Sequence, residues 1–298
     1  MNIKTWFLET RPHFLLLSVV LVFLGTSIAW YNGTFHLGYA LLALLGMILC
    51  HISVNVLNDY FDYRSGIDLK TKRTPFSGGS GILPAAMLRP QQVLWFGLIT
   101  FILAIPVGIY FVGKTGWLLL PLLIVGAICI LLYTPVLTRL GWPEWAPGVG
   151  LGSLPVLGAY FVQTGDYTLP AIIAAVPSGI LVHNLLFLNE FPDAEADVTA
   201  HRKTLPIAIG KFNSSIVYAV LTALVYLWII GGVVAGVMPA FTLLALLTLP
   251  LGIKAIQGAL KYERPDKLIP AMGSNVIIIL LIQVLMGVGY ILARILGW

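Results

Sequence analysis

Runs of about 20 apolar residues, long enough to cross the hydrocarbon core of a bilayer, recur along this chain with short polar interruptions. They predict nine transmembrane helices, at about 12–31, 38–57, 91–112, 116–134, 147–164, 168–188, 213–236, 239–257 and 271–293. The oily pattern breaks twice in a similar way. The second run leads into Asn58-Asp59-Tyr60-Phe61-Asp62-Tyr63-Arg64-Ser65-Gly66-Ile67-Asp68, and the sixth into Asn189-Glu190-Phe191-Pro192-Asp193-Ala194-Glu195-Ala196-Asp197. Together these stretches hold seven of the twelve acidic residues. Each is followed by a basic residue and a threonine, Arg73-Thr74-Pro75 and Lys203-Thr204-Leu205-Pro206. The motifs lie about 131 residues apart, which suggests a weak parallel pseudo-repeat, halves 1–140 and 141–298, within a single membrane domain spanning 1–298.

At 100° per residue, His51, Asn55, Asn58 and Asp62 fall within a sector of about 60° on the second helix. A polar stripe on a membrane helix must face protein or a water-filled cavity. Asp68 follows Gly66, where the helix is expected to unwind, and so is free to fold back toward that stripe. Asn189, Asp193 and Asp197 repeat the arrangement on the sixth helix at i, i+4 and i+8, with Pro192 predicting a kink at that helix end.

Carboxylates clustered at membrane-helix ends need a partner, because each costs several kcal/mol when buried alone. Ligands that are all oxygen suit Mg2+, which binds through one or two carboxylates plus substrate phosphate. Two such helix ends facing one another would hold two Mg2+ ions bridged by a diphosphate. Arg73, Arg139 and Lys203 would then neutralise the remaining phosphate charge. His51, in line with the stripe, is either hydrogen-bonded within the bundle or near an aromatic substrate. His183 and Asn184 lie off the acidic face and suit helix–helix hydrogen bonding. Phe76-Ser77-Gly78-Gly79-Ser80-Gly81 either covers a pocket or simply connects two spans.

Composition agrees with an integral membrane protein. Of the 298 residues 59% are hydrophobic and only 10% charged, against about 25% charged in soluble domains. With the N-terminus inside, fifteen of the seventeen Lys and Arg face the cytoplasm, leaving Lys114 and Arg294 outside. The expected location is therefore the cell (cytoplasmic) membrane, multi-pass, N-terminus inside and C-terminus outside, with both acidic stretches at the cytoplasmic face. No removed signal peptide is expected. Nucleic-acid binding is not expected, since no basic stripe interleaved with aromatics stands outside the loops. Cys50 and Cys129 have no metal-ligand spacing and read as apolar packing.

These motifs resemble the UbiA superfamily of intramembrane aromatic prenyltransferases over nearly the whole chain. The family's first motif is similar to Asn58, Asp62 and Asp68, and its second to Asp193 and Asp197 behind Asn189. Thr10-Arg11-Pro12, Tyr133-Thr134 ahead of Arg139, and Lys203-Thr204-Leu205 with Gly210 also fit. The resemblance implies an all-α enzyme with its cavity open to the cytoplasmic side, transferring a polyprenyl group from polyprenyl diphosphate to a small aromatic acceptor. It implies Asn58, Asp62, Asp193 and Asp197 as metal-site residues, with Asp62, Asp193 and Asp197 catalytic and Asp68 and Asn189 supporting them. It further implies that Arg73, Tyr133, Arg139 and Lys203 contact diphosphate, with His51 and Asn55 near the acceptor. The Gly66-x-Asp68 spacing and the His51, Asn55, Asn58 run look most like the menaquinone branch, which acts on 1,4-dihydroxy-2-naphthoate. A 4-hydroxybenzoate acceptor is the alternative within the family. Glu190 and Pro192 depart from its usual Asn-Asn-x-Arg-Asp. Outside the family, the competing class is a cation-coupled secondary transporter, whose sites concentrate at the membrane midplane.

Overall fold

The computed structural model describes residues 3–71 and 73–298. The described residues form helices and no strand. In chain order these are α1 (Ile3–Glu9), α2 (Pro12–Tyr31), α3 (Leu37–Ser65), α4 (Pro90–Thr115), α5 (Leu120–Leu132) and α6 (Trp145–Pro147). They continue with α7 (Leu154–Thr164), α8 (Leu169–Thr199), α9 (Leu205–Ala208), α10 (Gly210–Val234), α11 (Leu249–Ala259) and α12 (Pro265–Leu296). A π-helical stretch, Gly148–Ser153, joins α6 to α7, and a 3-10 stretch, Ala240–Thr248, leads into α11.

Among the described residues, eight helical segments are long and apolar enough to cross a membrane. The protein is thus an all-α, polytopic membrane protein. The ninth expected span is present as the shorter apolar helix Trp117–Leu132. Its 3-10 opening turn, Trp117–Leu119, and the early stop ahead of Pro135 keep it below full length.

The core lies among α2, α7, α8, α10 and α12, where Leu21, Leu24, Tyr160, Leu181, Phe187, Tyr218 and Ile282 are almost wholly buried. Helix α8 is the most enclosed, with 72% of its most apolar window buried. Small residues allow backbones to touch there, as is common between membrane helices. A Cβ on Gly152 would meet the Ser178 carbonyl oxygen of α8 at 2.7 Å. Buried polar side chains tie the same helices together. Asn184 Nδ2 donates to Thr222 Oγ1 at 3.0 Å, Tyr218 Oη to Asn275 Oδ1 at 3.0 Å, and Ser178 Oγ to Gln283 Oε1 at 2.8 Å. His183 accepts from Trp142 Nε1 at 3.0 Å. Asn184 therefore serves inter-helix bonding, as its position off the acidic face predicts, whereas His183 ties α8 to the loop that carries Trp142.

Two long helices carry the acidic stretches. Helix α3 ends at Ser65 because Gly66 takes a left-handed φ of 80°, and the Gly66 and Ile67 N–H groups close on the Tyr63 and Asp62 carbonyls. Helix α8 starts with Thr168 capping the Ala171 N–H. It remains helical through Pro192 to Thr199, so the acidic residues extend one continuous face.

Candidate active site

A large cavity of about 700 Å³ runs between α2, α3, α4, α5, α7 and α8. Its body is apolar, with Leu17, Met47, Phe101, Ile105, Phe111, Leu122 and Leu154 among the lining side chains. Its head is polar, and both acidic stretches converge there. Asn58, Asp62 and Asp68 from the α3 end and Asn189, Asp193 and Asp197 from α8 all line the same space, with Tyr133, His51 and Asn55.

One side chain joins the two stretches directly. Arg202 makes an ion pair with Asp62 of α3 and another with Asp197 of α8, the latter at 3.1 Å. Those two carboxylates hold the guanidinium firmly charged, raising its pKa despite burial. Asn58 Nδ2 donates to Asp62 Oδ2 and to Thr134 Oγ1, both at 3.0 Å, which orients Asp62. Its Oδ1 accepts from Arg11 at 3.3 Å. Asp193 accepts from Ser77 of the glycine-rich loop at 3.4 Å. His51 is buried, its Nδ1 2.8 Å from Ser18 Oγ, and Asn55 Nδ2 donates to the Thr10 carbonyl at 3.0 Å. Asp68 folds back over the α3 end as expected. Burial, and then the charge of Asp62, raise its pKa to about 6.

Three of the expected diphosphate residues stand elsewhere. Arg73, Arg139 and Lys203 are exposed and do not line the cavity. Arg73 is bound into its own loop, donating to the carbonyls of Gly78, Gly79 and Ser80. Lys203 is pinned by its backbone, its N–H donating to the Thr138 carbonyl and its own carbonyl accepting from Trp142 N–H. Arg202, Asp59, Glu9 and Glu144 are not among the residues that the spacing predicts for the site. Asp59 sits one step off the polar stripe, yet it is buried, paired with Arg11, and accepts from the Ser80 N–H at 3.0 Å. Glu144 is buried and caps α9 by accepting from Leu205 N–H at 2.7 Å. Arg202 had one visible signal: it is the immediate neighbour of the basic-Thr pair already singled out.

The donor set suits a hard divalent cation. Among the described residues no three His, Cys, Asp or Glu side chains stand close enough together to hold a metal unaided, and Arg202 fills the gap between Asp62 and Asp197. Even so, Asp62, Asp68, Asp193 and Asp197 outnumber the cations facing them, since Arg11 is already matched by Asp59. Asn189 Oδ1 is buried with no hydrogen-bond partner. An all-oxygen site with surplus negative charge and an unsatisfied acceptor fits Mg2+, which completes its coordination with water and substrate phosphate.

The chain matches the profile of the UbiA prenyltransferase family over residues 17–291. It is 30% identical to 1,4-dihydroxy-2-naphthoate octaprenyltransferase of Bacillus subtilis (strain 168), over 89% of this chain and 85% of that protein. It is 26% identical to the Haemophilus influenzae protein of the same name, over 98% of this chain and 97% of the relative. Two solved structures share the fold. A UbiA homolog from Aeropyrum pernix K1 superposes with a TM-score of 0.69 at 17% identity, covering 93% of this chain and 97% of that one. A UbiA homolog from Archaeoglobus fulgidus, bound to GPP and Mg2+, gives 0.61 at 12% identity, covering 95% and 99%.

Proposed function

The chain belongs to the UbiA prenyltransferase family, and from that premise we propose that it transfers a polyprenyl group from polyprenyl diphosphate to 1,4-dihydroxy-2-naphthoate, in menaquinone biosynthesis. The observation that carries this reading is the contact of one arginine, Arg202, with carboxylates from both acidic stretches at the head of an apolar cavity. The names of the bacterial relatives support the naphthoate acceptor, and the GPP and Mg2+ of the Archaeoglobus homolog support a metal-held diphosphate.

In this reading Asn58, Asp62, Asp68, Asn189, Asp193 and Asp197 would hold two Mg2+ ions together with the diphosphate. Bound Mg2+ supplies the charge that stabilises the diphosphate as it leaves. Arg202 and Tyr133 face the same group, and the fixed guanidinium contributes most as negative charge builds on the departing oxygens. The allylic C–O bond breaks heterolytically, its electron pair leaving with the diphosphate. The apolar body of the cavity seats the prenyl chain and keeps water from the carbocation. The acceptor ring attacks that cation beside His51 and Asn55 to form the C–C bond, and the ring regains aromaticity by losing the group at the attacked carbon, either a proton to the released diphosphate or the carboxylate as CO2. The acidic head faces the cytoplasm, and each pseudo-repeat half supplies one carboxylate set.

The test is direct. Detergent-purified protein is incubated with labelled polyprenyl diphosphate, Mg2+ and a panel of aromatic acids, with products identified by mass spectrometry. A prenylated product of the naphthoate, with or without its carboxylate, and released diphosphate are expected, both lost in Asp62→Ala and Asp193→Ala and on chelation. Substantial turnover in either variant would refute the metal role, and ion transport without diphosphate release would refute the enzyme reading.

A further inference from the structure

Arg73 is exposed and outside the cavity, yet its guanidinium is engaged in a specific way. Nε donates to the Gly78 carbonyl at 3.2 Å, and one terminal nitrogen donates to the Gly79 and Ser80 carbonyls at 3.1 and 2.5 Å. Three consecutive carbonyls converge on one cation only if the chain curls. Left-handed φ values of 83° at Gly78, 69° at Gly79 and 74° at Gly81 supply that curl, and such values favour glycine. Space requires glycine as well: a Cβ on Gly81 would overlap the Arg73 guanidinium.

The direction of the carbonyls fixes the direction of the donors. In a trans peptide the N–H points opposite to the carbonyl that precedes it. Carbonyls 78 and 79 turned outward onto Arg73 therefore turn the N–H groups of Gly79 and Ser80 the other way. Ser80 reveals the inner side, since its N–H donates to the buried Asp59 at 3.0 Å. The Gly79 N–H has no acceptor among the described residues, and Gly78 and Gly79 both line the cavity head. A backbone donor that faces a concavity without a partner is suited to an anion. Two carboxylates flank this position, since a Cβ on Gly79 would lie 3.1 Å from Asp68 and 3.2 Å from Asp59; Arg11 neutralises Asp59, and Asp68 is among the residues that would hold the cation accompanying the diphosphate.

We propose that Gly79, with Gly78, is a backbone seat for the diphosphate of the prenyl donor, and that Arg73 is a positioning residue which shapes this seat without touching the ligand. The inference rests on the prenyl-transfer reading above and replaces a direct phosphate contact by Arg73 with an indirect one.

Two variants separate these roles. Arg73→Lys keeps the charge but lacks the fork that gathers three carbonyls. Gly81→Ala keeps the arginine but evicts its guanidinium from the turn. Donor KM, acceptor KM and the Kd of inorganic pyrophosphate with Mg2+ are measured on purified full-length protein. Both variants are expected to raise donor KM and pyrophosphate Kd by about 10- to 100-fold, the loss of one charge-assisted hydrogen bond, with acceptor KM unchanged. The double variant should be no worse than either single one, because both act on one unit. The seat is refuted if Arg73→Lys matches wild type, or if Gly81→Ala keeps wild-type pyrophosphate affinity while Arg73→Gln loses it. Should one variant fail to elute as a folded protein, the other decides. Wild-type protein that binds pyrophosphate through this loop but transfers no prenyl group would overturn the function and uphold the seat.

Discussion

Removing Arg202 tests the geometry of the site most sharply, because that residue is the only described cation contacting both acidic helices. In Arg202→Gln the Asp62 and Asp197 carboxylates lose a partner whose side chain is only 15% exposed; their own are 10% and 2% exposed. Breaking a buried ion pair costs about 3–5 kcal/mol, because a charge is left without compensation. Partial exposure of the arginine places the expected loss at the lower end, about 3 kcal/mol. The same change removes a fixed donor from the leaving diphosphate, worth about 100-fold in kcat. Lys203→Gln, one residue on, alters an exposed side chain and should stay within about 0.5 kcal/mol.

The assay is thermal unfolding in detergent with EDTA and then with Mg2+, alongside turnover. Arg202→Gln should melt well below wild type in EDTA and recover more than wild type when Mg2+ is added, since the ion then faces two uncompensated carboxylates. Equal melting of Arg202→Gln and wild type in EDTA would refute the bridging role. So would a larger loss of turnover in Lys203→Gln than in Arg202→Gln.

Two further outcomes follow from residues outside the carboxylate sets. Glu9 is buried against Ser80, and burial raises its pKa from 4.5 to about 7, with the Ser80 hydroxyl opposing the shift. A raised acid pKa means that the folded state holds the proton more tightly, so its stabilisation is complete below pH 4.5 and is lost as pH rises to about 7. The full span is worth about 3 kcal/mol; Glu9→Gln should flatten the melting-temperature profile across that window, and an unchanged slope would show that Glu9 does not titrate there. Asn184→Leu removes the bond to Thr222 between α8 and α10; it should cost about 1 kcal/mol in melting experiments and leave donor KM unchanged, because Asn184 does not line the cavity.

The membrane class and most span boundaries were legible because lipid imposes one uniform demand, about 20 apolar residues per crossing. The acidic faces were legible for a related reason. Within a helix, spacings of three and four fix which side chains share a side, so Asn58 with Asp62, and Asn189 with Asp193 and Asp197, could be grouped before any packing was known. That the helix passes Pro192 was less visible, since local preference argues for a kink while burial of the surrounding α8 residues favours continuity. Where chains leave helices, periodicity says nothing. The buried ties of Glu9 to Ser80 and of Asp59 to Arg11 join segments far apart in sequence, and no spacing rule connects them.

The choice between Arg202 and Lys203 shows how narrow that limit is. Helix α8 closes with the His201 N–H on the Val198 carbonyl and the Arg202 N–H on the Asp197 carbonyl, at 3.1 and 3.2 Å. This turn needs His201 at a φ of 59°, a left-handed conformation that costs a non-glycine residue about 1–2 kcal/mol. The strain sends residue 202 back toward the Asp197 carboxylate. Both backbone groups of residue 203 are then taken by Thr138 and Trp142 in the neighbouring loop. Two adjacent cations thus face opposite ways, one into the carboxylates and one to the exterior. The sequence marks both as basic, but only the hydrogen bonds that end the helix decide which one enters the site. His201→Gly should relieve the strain and stabilise the fold by up to about 1 kcal/mol while preserving turnover, measured by melting and product formation. A destabilised variant would show that the left-handed turn is not what directs Arg202 inward.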